Sequence, residues 1–373
     1  MTDISWPFRM AHSITFQKNY IVSFLLGAFL ILSHNRFSMD SITHVVLGGA
    51  VGEVLLGKQL GKRAMVMGAI ANSLPDIDFV ASFGLDVPHD LLAHRGFTHS
   101  FLFVVMMSPV LAGAANRWLK NSDVKFKQWV LFFATQLMIH VLIDSLNAYG
   151  TGWLEPFSHK RFSFHTLFVA DPFFTTWLLV VFIILLVLKR TNKFRIRWAI
   201  AGLVLSSIYL IYALTNKYNI DRATSRILDK QHISYSRFFT TPTLLNTWLW
   251  FIVAEDKDGY HIGYRSVFDR KDSIKFHYIN RNDSLLATFR KKEDLKLLLR
   301  FSQGYYTVEQ RSDTLVFNDL RFGQQIGWSP NTKFVFQYYL TFPEDNNLVV
   351  QRGRFAGLNK EAMRKMYHRI RGN

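Results

Sequence analysis

The chain has 373 residues and no cysteine, and its 44 Lys and Arg residues outnumber its 27 Asp and Glu residues to give a formal net charge of +17. The lack of cysteine excludes disulfide-stapled scaffolds, thiolate zinc fingers, iron–sulfur proteins and enzymes with a cysteine nucleophile. So much positive charge is often a sign of nucleic-acid binding. A mean hydropathy of +0.09 in so basic a chain, however, requires that apolar residues be segregated into blocks, and basic loops between apolar blocks are typical of membrane proteins.

Apolar stretches occupy much of the first 215 residues. They cover residues 20–33, 42–57, 64–74, 101–115, 129–146, 173–188 and 198–214. Because about 20 apolar residues are needed to cross a bilayer, the stretches at 42–57 and 64–74 predict tilted or partly inserted segments. Residues 1–38 form an N-terminal extension, which is either one extra helix or a segment upstream of a natural start at Met39.

Beyond residue 215, apolar and polar residues alternate, as at 260–264 and 275–279. This period of two is typical of half-buried strands. Two helical patterns, at 292–301 and 359–370, interrupt the alternation. We therefore predict an α-helical polytopic membrane domain over residues 39–215, which carries the chemistry, and a soluble α+β domain over residues 216–373.

Three basic connections between the predicted helices indicate how the protein is oriented. They lie near residues 58–63, 117–127 and 189–197 and fall on the same side of the helices. The positive-inside rule makes that side cytoplasmic. The expectation is a multi-pass protein of a bacterial inner membrane, with its metal site and C-terminal domain on the periplasmic face.

Histidine and aspartate residues are concentrated at the side of the predicted helices opposite the basic connections. Ionisable groups at the ends of membrane helices are costly unless paired, hydrated or bound to a metal, so they are candidates for function. Four separate segments bring seven of them to one level: His44, Asp76, Asp78, His94, His99, His140 and Asp144. His140 and Asp144 are four residues apart and project from the same side of a helix. Nitrogen and oxygen ligands with this many imidazoles favour Zn²⁺ and also suit Mn²⁺ or Fe²⁺.

The same segments carry a resemblance. Residues 39–44, 52–58, 74–78, 94–100 and 140–144 are similar to the YdjM family of inner-membrane proteins, which is assigned to the metal-dependent hydrolases and grouped distantly with zinc-dependent phospholipases C and single-strand nucleases. A looser likeness continues at 241–247 and 319–323. The resemblance implies hydrolysis of a phosphoester, with the seven residues above as the matching positions, and favours Met39 as the start.

Four other residues lie near these motifs without a clear place in them. His159 and His165 stand where an acidic residue is more usual in the resemblance, so it gives them no role. Glu53 lies about 180° from His44 around a helix, which favours a buried hydrogen-bonding partner over a metal ligand. Asp171 precedes Pro172 and is interpreted as a helix N-cap or as a group that orients a metal ligand.

The predicted function is metal-dependent hydrolysis of a phosphoester in a lipid or lipid-linked substrate at the membrane surface. In this mechanism Asp76, Asp78 or Asp144 accepts a proton from water, and Arg95 stabilises charge on a phosphoryl oxygen. Two alternatives stay open, a metal-dependent amide or acyl-ester hydrolase and a non-catalytic metal-binding protein of membrane assembly or transport. Membrane lipids are the expected partners, and nucleic acid is not, because topology already explains the basic loops.

Overall fold

A computed structural model describes residues 40–120, 122–169, 171–289, 291–328, 333–340 and 358–372. The predicted helix at 20–33 and the predicted start at Met39 lie outside these residues. The first part of the chain is helical. Its helices are α1 (Asp40–Leu60), α2 (Lys62–Ser73), α3 (Val87–Ala93), α4 (Phe101–Trp118), α5 (Phe126–Asp144), α6 (Pro172–Val187) and α7 (Arg195–Lys230), with 3-10 segments at Leu74–Phe83 and Phe97–His99.

Three of the described helices are long and apolar enough to cross a membrane, namely α4, α5 and α7. Helix α6 is apolar but has only 16 residues. Helix α7 has 36 residues and continues to Lys230, although its apolar stretch was predicted to end at residue 214. It therefore extends across the domain boundary that the sequence places after residue 215, and its last turns pack against the first β-strand.

Glycine residues allow α1 and α2 to pack backbone against backbone. A Cβ atom at Gly68 would lie 2.1 Å from the carbonyl oxygen of Gly48, and a Cβ atom at Gly52 would lie 2.3 Å from that of Ala64. Neither distance is possible for a real side chain, so small residues are required here, as in many membrane helix pairs. This contact fixes α1 against the helix that leads into the predicted site.

A buried ion pair joins α1 to α7. The Nε and Nη2 atoms of Arg195 donate to the two carboxylate oxygens of Glu53 at 2.8 and 2.6 Å, and both side chains are almost fully buried. Two carbonyl oxygens near the end of α6 accept from Nη1 of the same guanidinium. The interpretation of Glu53 as a buried hydrogen-bonding partner is confirmed.

The three basic connections lie together at one end of the helices. The Nη2 atom of Arg190 donates to the carbonyl of Gln59 at 3.0 Å, and Lys62 donates to the carbonyl of Leu186. One cleft is lined by residues of all three connections, including Arg63, Lys120 and Arg190. The start of α1 and the end of α5 lie at the opposite end.

The C-terminal part consists of antiparallel strands with flanking helices. One sheet has the order β1 (Arg237–Pro242), β2 (Leu249–Glu255), β3 (Gly259–Ser266), β4 (His277–Asn280), and the other β5 (Tyr306–Arg311), β6 (Thr314–Gln324), β7 (Phe334–Tyr339). The described residues of this part also form helices α8 (Lys292–Phe301) and α9 (Lys360–Ile370) and a 3-10 segment at Asp283–Thr288. A helical region with apolar helices followed by antiparallel sheets confirms that much of the predicted fold class.

The sheets pack against the connections at the end of the helices away from the basic loops. Leu91 and Leu92 of α3 share a core with Phe301 and Phe336. Tyr149 lies between the two parts, with its ring centroid 5.1 Å from that of Phe301 and 5.0 Å from that of His94. The C-terminal part therefore adjoins the segments that carry the predicted site.

Candidate metal centre

Two local features bring the site residues of the second and third segments together. Pro75 follows the end of α2 and lies in the first turn of the 3-10 segment, because proline cannot continue an α-helix through its interior. Ser100 caps α4 by accepting from the backbone N–H of Phe103 at 3.0 Å, which leaves His99 just outside the helix. The carboxylate of Asp78 accepts from the backbone N–H of Arg95 at 2.7 Å, so the two segments are held side by side.

Four side chains form a compact ligand set. The ligand atoms of Asp76, His99, His140 and Asp144 all lie within 4.8 Å of one another. His99, His140 and Asp144 are fully buried, whereas 27% of the Asp76 side chain is exposed. The Nε2 atoms of His99 and His140 are 2.9 Å apart, and Asp76 Oδ1 lies 3.7 and 3.6 Å from them. Two imidazoles and two carboxylates in this arrangement match the ligand types of Zn²⁺ and of other divalent metals.

The tautomer of His99 fits this assignment. Its Nδ1 atom lies 3.0 Å from Thr98 Oγ1 and 3.5 Å from Asp78 Oδ2. The Thr98 hydroxyl donates to the same Asp78 oxygen, so both groups act as acceptors for the ring and Nδ1 carries the hydrogen. In the neutral ring, which is the form that binds a metal, the unprotonated Nε2 atom then faces the cluster.

Asp144 is the centre of the contacts in the site. Its Oδ1 atom is 3.0 Å from Nε2 of His44, and its Oδ2 atom is 3.2 Å from Nε2 of His99 and 3.0 Å from Nε of Arg95. Arg95 also donates to Asn147 Oδ1 at 2.8 Å, and only 3% of the residue is exposed. The geometry favours Arg95 as the cation that holds Asp144 in place.

Asp78 and His94 lie beside the four-residue group. Asp78 Oδ1 is 3.0 Å from Nδ1 of His94, and its other oxygen binds the backbone of Arg95 and the side chain of Thr98. About a third of the His94 side chain is exposed. Of the seven predicted ligands, four thus converge, His44 contacts two of them, Asp144 and His140, and Asp78 and His94 form an adjoining pair.

The charges of the site shift the pKa values of its members. Burial alone would raise the pKa of Asp76, but the neighbouring imidazoles of His140 and His44 and a hydrogen bond with His99 hold it well below its usual range. Burial would likewise lower the pKa of His99, yet its hydrogen bonds to Asp144 and Asp76 raise it to about 9. The cluster therefore attracts positive charge strongly, as a cation site must.

The remaining candidates lie outside the cluster. His159 is exposed and contacts Glu155 at 2.8 Å, and His165 is buried with its ring stacked on Phe239. Asp171 caps α6 by accepting from Phe173 N at 2.9 Å and Phe174 N at 3.3 Å. The N-cap interpretation of Asp171 is confirmed.

Sequence reasoning missed two fully buried amides, Asn72 of α2 and Gln136 of α5. Asn72 Oδ1 is 3.2 Å from Nδ1 of His44, and Gln136 contacts Asn72. A signal was present, because a polar amide within an apolar helix needs a buried partner. The partner lies 64 residues away in the chain, however, and only the fold identifies it.

These features define a class of protein, one with apolar helices of membrane-spanning length and a buried imidazole–carboxylate cluster at one end of them. The sequence profile of YdjM inner membrane proteins matches residues 39–220. The chain belongs to this family. The matched region contains the whole cluster and ends at residue 220, so the looser likeness at 241–247 and 319–323 lies outside it.

Two relatives extend the comparison. Inner membrane protein YbcI of Escherichia coli (strain K12) is 35% identical over 124 residues, which is 32% of this chain and 69% of YbcI. The uncharacterized protein YfhP of Bacillus subtilis (strain 168) is 32% identical over 142 residues, which is 36% of this chain and 42% of YfhP. The chain thus spans less than half the length of YfhP. No solved structure is significantly similar to it.

Proposed function

We propose that this protein is a membrane-embedded, metal-dependent hydrolase that cleaves a phosphoester in a lipid or lipid-linked substrate. The observation that carries the proposal is the convergence of Asp76, His99, His140 and Asp144. A divalent ion held by such groups activates water and polarises a substrate oxygen. Zinc is the metal that this ligand set favours, and manganese and iron are suited to it as well.

The residues around the proposed metal have separate roles in proton transfer and in orienting the ligands. Asp76 has the most exposed carboxylate of the three that line the site, so it is the one that can meet water or substrate entering from outside and accept a proton. Asp78 orients His99 and His94. Arg95 offsets the charge of Asp144 and keeps its oxygens directed at His44 and His99.

An apolar rim next to Asp76 supports a lipid substrate. The rim consists of the exposed side chains of Ile77, Phe79, Val80, Phe83 and Phe97. They belong to the two 3-10 segments that also carry Asp76 and His99. Exposed apolar side chains at the entrance of a polar site are suited to acyl or prenyl chains. A head group can then reach the cluster while its chains stay in the bilayer.

The proposed location is the bilayer of a bacterial inner membrane, with the site at the periplasmic face. Family membership and the name of YbcI support the inner membrane. The basic connections lie at the end opposite the site, and basic loops face the cytoplasm by the positive-inside rule.

Product analysis tests the proposal. Protein purified in detergent and loaded with Zn²⁺ or Mn²⁺ is incubated with phospholipids and lipid-linked phosphates. Asp76→Asn is the test variant, and His159→Ala, at an exposed histidine outside the cluster, is its control. Release of a phosphorylated head group by the native chain and by His159→Ala, but not by Asp76→Asn, is expected. Release of fatty acid instead would show acyl-ester cleavage, and no turnover by metal-loaded native protein would contradict the proposal.

A further inference from the structure

A chain of buried amides links the backbone of α1 to the metal centre. Gln136 Nε2 donates to the carbonyl oxygen of Gly48 at 3.0 Å. Asn72 Nδ2 donates to the backbone and side-chain oxygens of Gln136 at 2.8 and 3.2 Å. Asn72 Oδ1 lies 3.2 Å from Nδ1 of His44. Gln136, Asn72 and His44 are fully buried, and we refer to them as the amide relay.

Two backbone carbonyls fix the orientation of every amide in the relay. A carbonyl oxygen only accepts hydrogen bonds, so the contact with Gly48 places Nε2 of Gln136 at that end and leaves its Oε1 towards Asn72. The contact with the Gln136 carbonyl places Nδ2 of Asn72 there and leaves its Oδ1 towards His44. An acceptor therefore faces Nδ1 of His44, which must carry the hydrogen.

The consequence appears at the other ring nitrogen. With its hydrogen on Nδ1, a neutral His44 presents a lone pair at Nε2, and this atom lies 3.0 Å from the acceptor Oδ1 of Asp144. Two acceptors at that distance repel each other unless a cation lies against both, and that cation is either a proton on Nε2 or a metal ion that replaces it. The ring also packs on His140, with 3.9 Å between centroids, so it is held beside the four-residue group.

We infer that Asn72 and Gln136 are positioning residues that hold His44 with its hydrogen on Nδ1 and its Nε2 directed at Asp144, and so make it a further metal ligand. The inference rests on the metal centre proposed above. Groups that orient a metal-binding histidine change metal affinity by about 10- to 100-fold when they are removed. The relay also requires glycine at position 68, because a Cβ atom there would lie 2.8 Å from Nε2 of Gln136 and displace that side chain.

The test compares variants of the full-length protein in detergent by titration with Co²⁺ and with Zn²⁺. Asn72→Leu removes the acceptor for His44, whereas Asn72→Asp keeps an acceptor at the same place. Gln136→Leu removes the side-chain oxygen that accepts from Asn72 and leaves only the backbone carbonyl to hold that amide. Ser73→Ala, at the neighbouring position of α2, is the matched control. Metal affinity and the visible absorption spectrum of the Co²⁺ form are measured, together with the thermal midpoint.

Asn72→Leu should weaken metal binding by about 10-fold or more and change the Co²⁺ spectrum, and Gln136→Leu should act in the same direction but less. Ser73→Ala should bind as the native chain does, and Asn72→Asp, which keeps the acceptor for His44 but loses the donor to Gln136, should bind metal more tightly than Asn72→Leu. Native affinity and spectrum in both leucine variants would overturn the relay and leave the metal centre standing. If Asn72→Leu fails to fold, native affinity and spectrum in Gln136→Leu alone would overturn it. No metal binding by the native chain would overturn the proposed function and the relay together.

Discussion

Asp144 shows why single residues of this site cannot be assigned one role each. One of its carboxylate oxygens faces His44, and the other faces His99 and Arg95. The Arg95 guanidinium and two imidazole rings contact it, so a charged carboxylate is stable there despite full burial. Buried charges of this kind are retained in membrane helices where they serve a function.

Glu53 offers a residue-scale prediction about stability. Replacing Glu53 with Gln leaves the Arg195 guanidinium buried without its counter-charge, and removal of one partner of a buried pair costs about 3 to 5 kcal/mol. We expect a large drop in the thermal midpoint of Glu53→Gln in detergent. Glu361→Gln, which breaks an exposed pair with Lys365, should leave the midpoint unchanged. Equal midpoints for Glu53→Gln and the native protein would show that the pair does not stabilise the fold.

At the same scale, the sequence was sufficient to identify the candidate residues of the site but insufficient to assign their roles. All four members of the ligand set were among the residues predicted from residue type and from position near helix ends, because ionisable side chains are rare at the ends of membrane helices. Between His94 and His99 the backbone makes a left-handed turn at Arg95, where φ is 58°, and no spacing rule predicts this turn.

The pairing of α1 with α2 is the element on which the site depends most. Their backbones approach at Gly48, Gly52 and Gly68, and α2 carries Asn72 next to His44. The sequence predicted tilted or partly inserted segments here from their apolar lengths. It did not indicate how far α7 extends, because the last turns of that helix are stabilised by contacts with the β-strands rather than by an apolar run.

Substitution of single glycines tests this pairing. Gly68→Ala forces a Cβ atom against the carbonyl of Gly48 and should lower both the thermal midpoint and metal affinity. Gly113→Ala in α4 is the matched control, because no heavy atom lies within 4 Å of its added Cβ. Alanine is favoured over glycine in a helix by about 1 kcal/mol, so Gly113→Ala should be neutral or stabilising. Both variants behaving alike would contradict the close contact.

The buried carboxyl group at the N-terminus of α6 predicts that the stability of the fold depends on pH. Burial raises the pKa of Asp171 from 3.8 to about 6, although Tyr209 and two backbone N–H groups oppose this rise. Between these values the unfolded chain loses the proton and the folded chain keeps it, so stability falls as pH rises through this window and is constant above it. Asp171→Asn keeps a capping oxygen and cannot ionise.

We therefore expect Asp171→Asn to gain in thermal midpoint relative to the native protein as pH rises from about 4 to about 6.5. Asp171→Ala, which also lacks the cap, should be about 1 kcal/mol less stable than Asp171→Asn at every pH. A constant difference between Asp171→Asn and the native chain across this range would mean that the carboxyl group titrates at an ordinary pKa.

On the scale of the whole molecule, the β-sheets pack against the end of the helices that carries the metal centre, and the basic connections lie at the other end. Arg300 of α8 contacts Glu155 at 3.2 Å, and Tyr149 lies between His94 and Phe301. The sequence predicted the strands and both C-terminal helices from their periodicity. It could not predict this docking, since contacts between distant segments leave no periodic pattern.

The natural lack of cysteine makes the proposed orientation easy to test. Single cysteines at Lys120 and Lys193, on the basic connections, and at Asp313, in the turn between β5 and β6, are all at exposed positions. In intact spheroplasts an impermeant thiol reagent should label Asp313→Cys only, and lysis should expose the other two. Labelling of Lys120→Cys before lysis would place the basic end, and not the site, outside.

The most direct test of the metal centre is quantitative metal analysis of the detergent-purified protein. The protein is purified through an affinity tag that contains no histidine, so that the tag itself binds no metal. The native chain is compared with the double variant His99→Ala, His140→Ala and with His159→Ala, an exposed histidine outside the cluster. We predict about one equivalent or more of zinc or manganese in the native chain and in His159→Ala, as a four-ligand set holds, and its loss in the folded double variant. A folded native chain that binds no metal even when zinc and manganese are supplied would contradict the account.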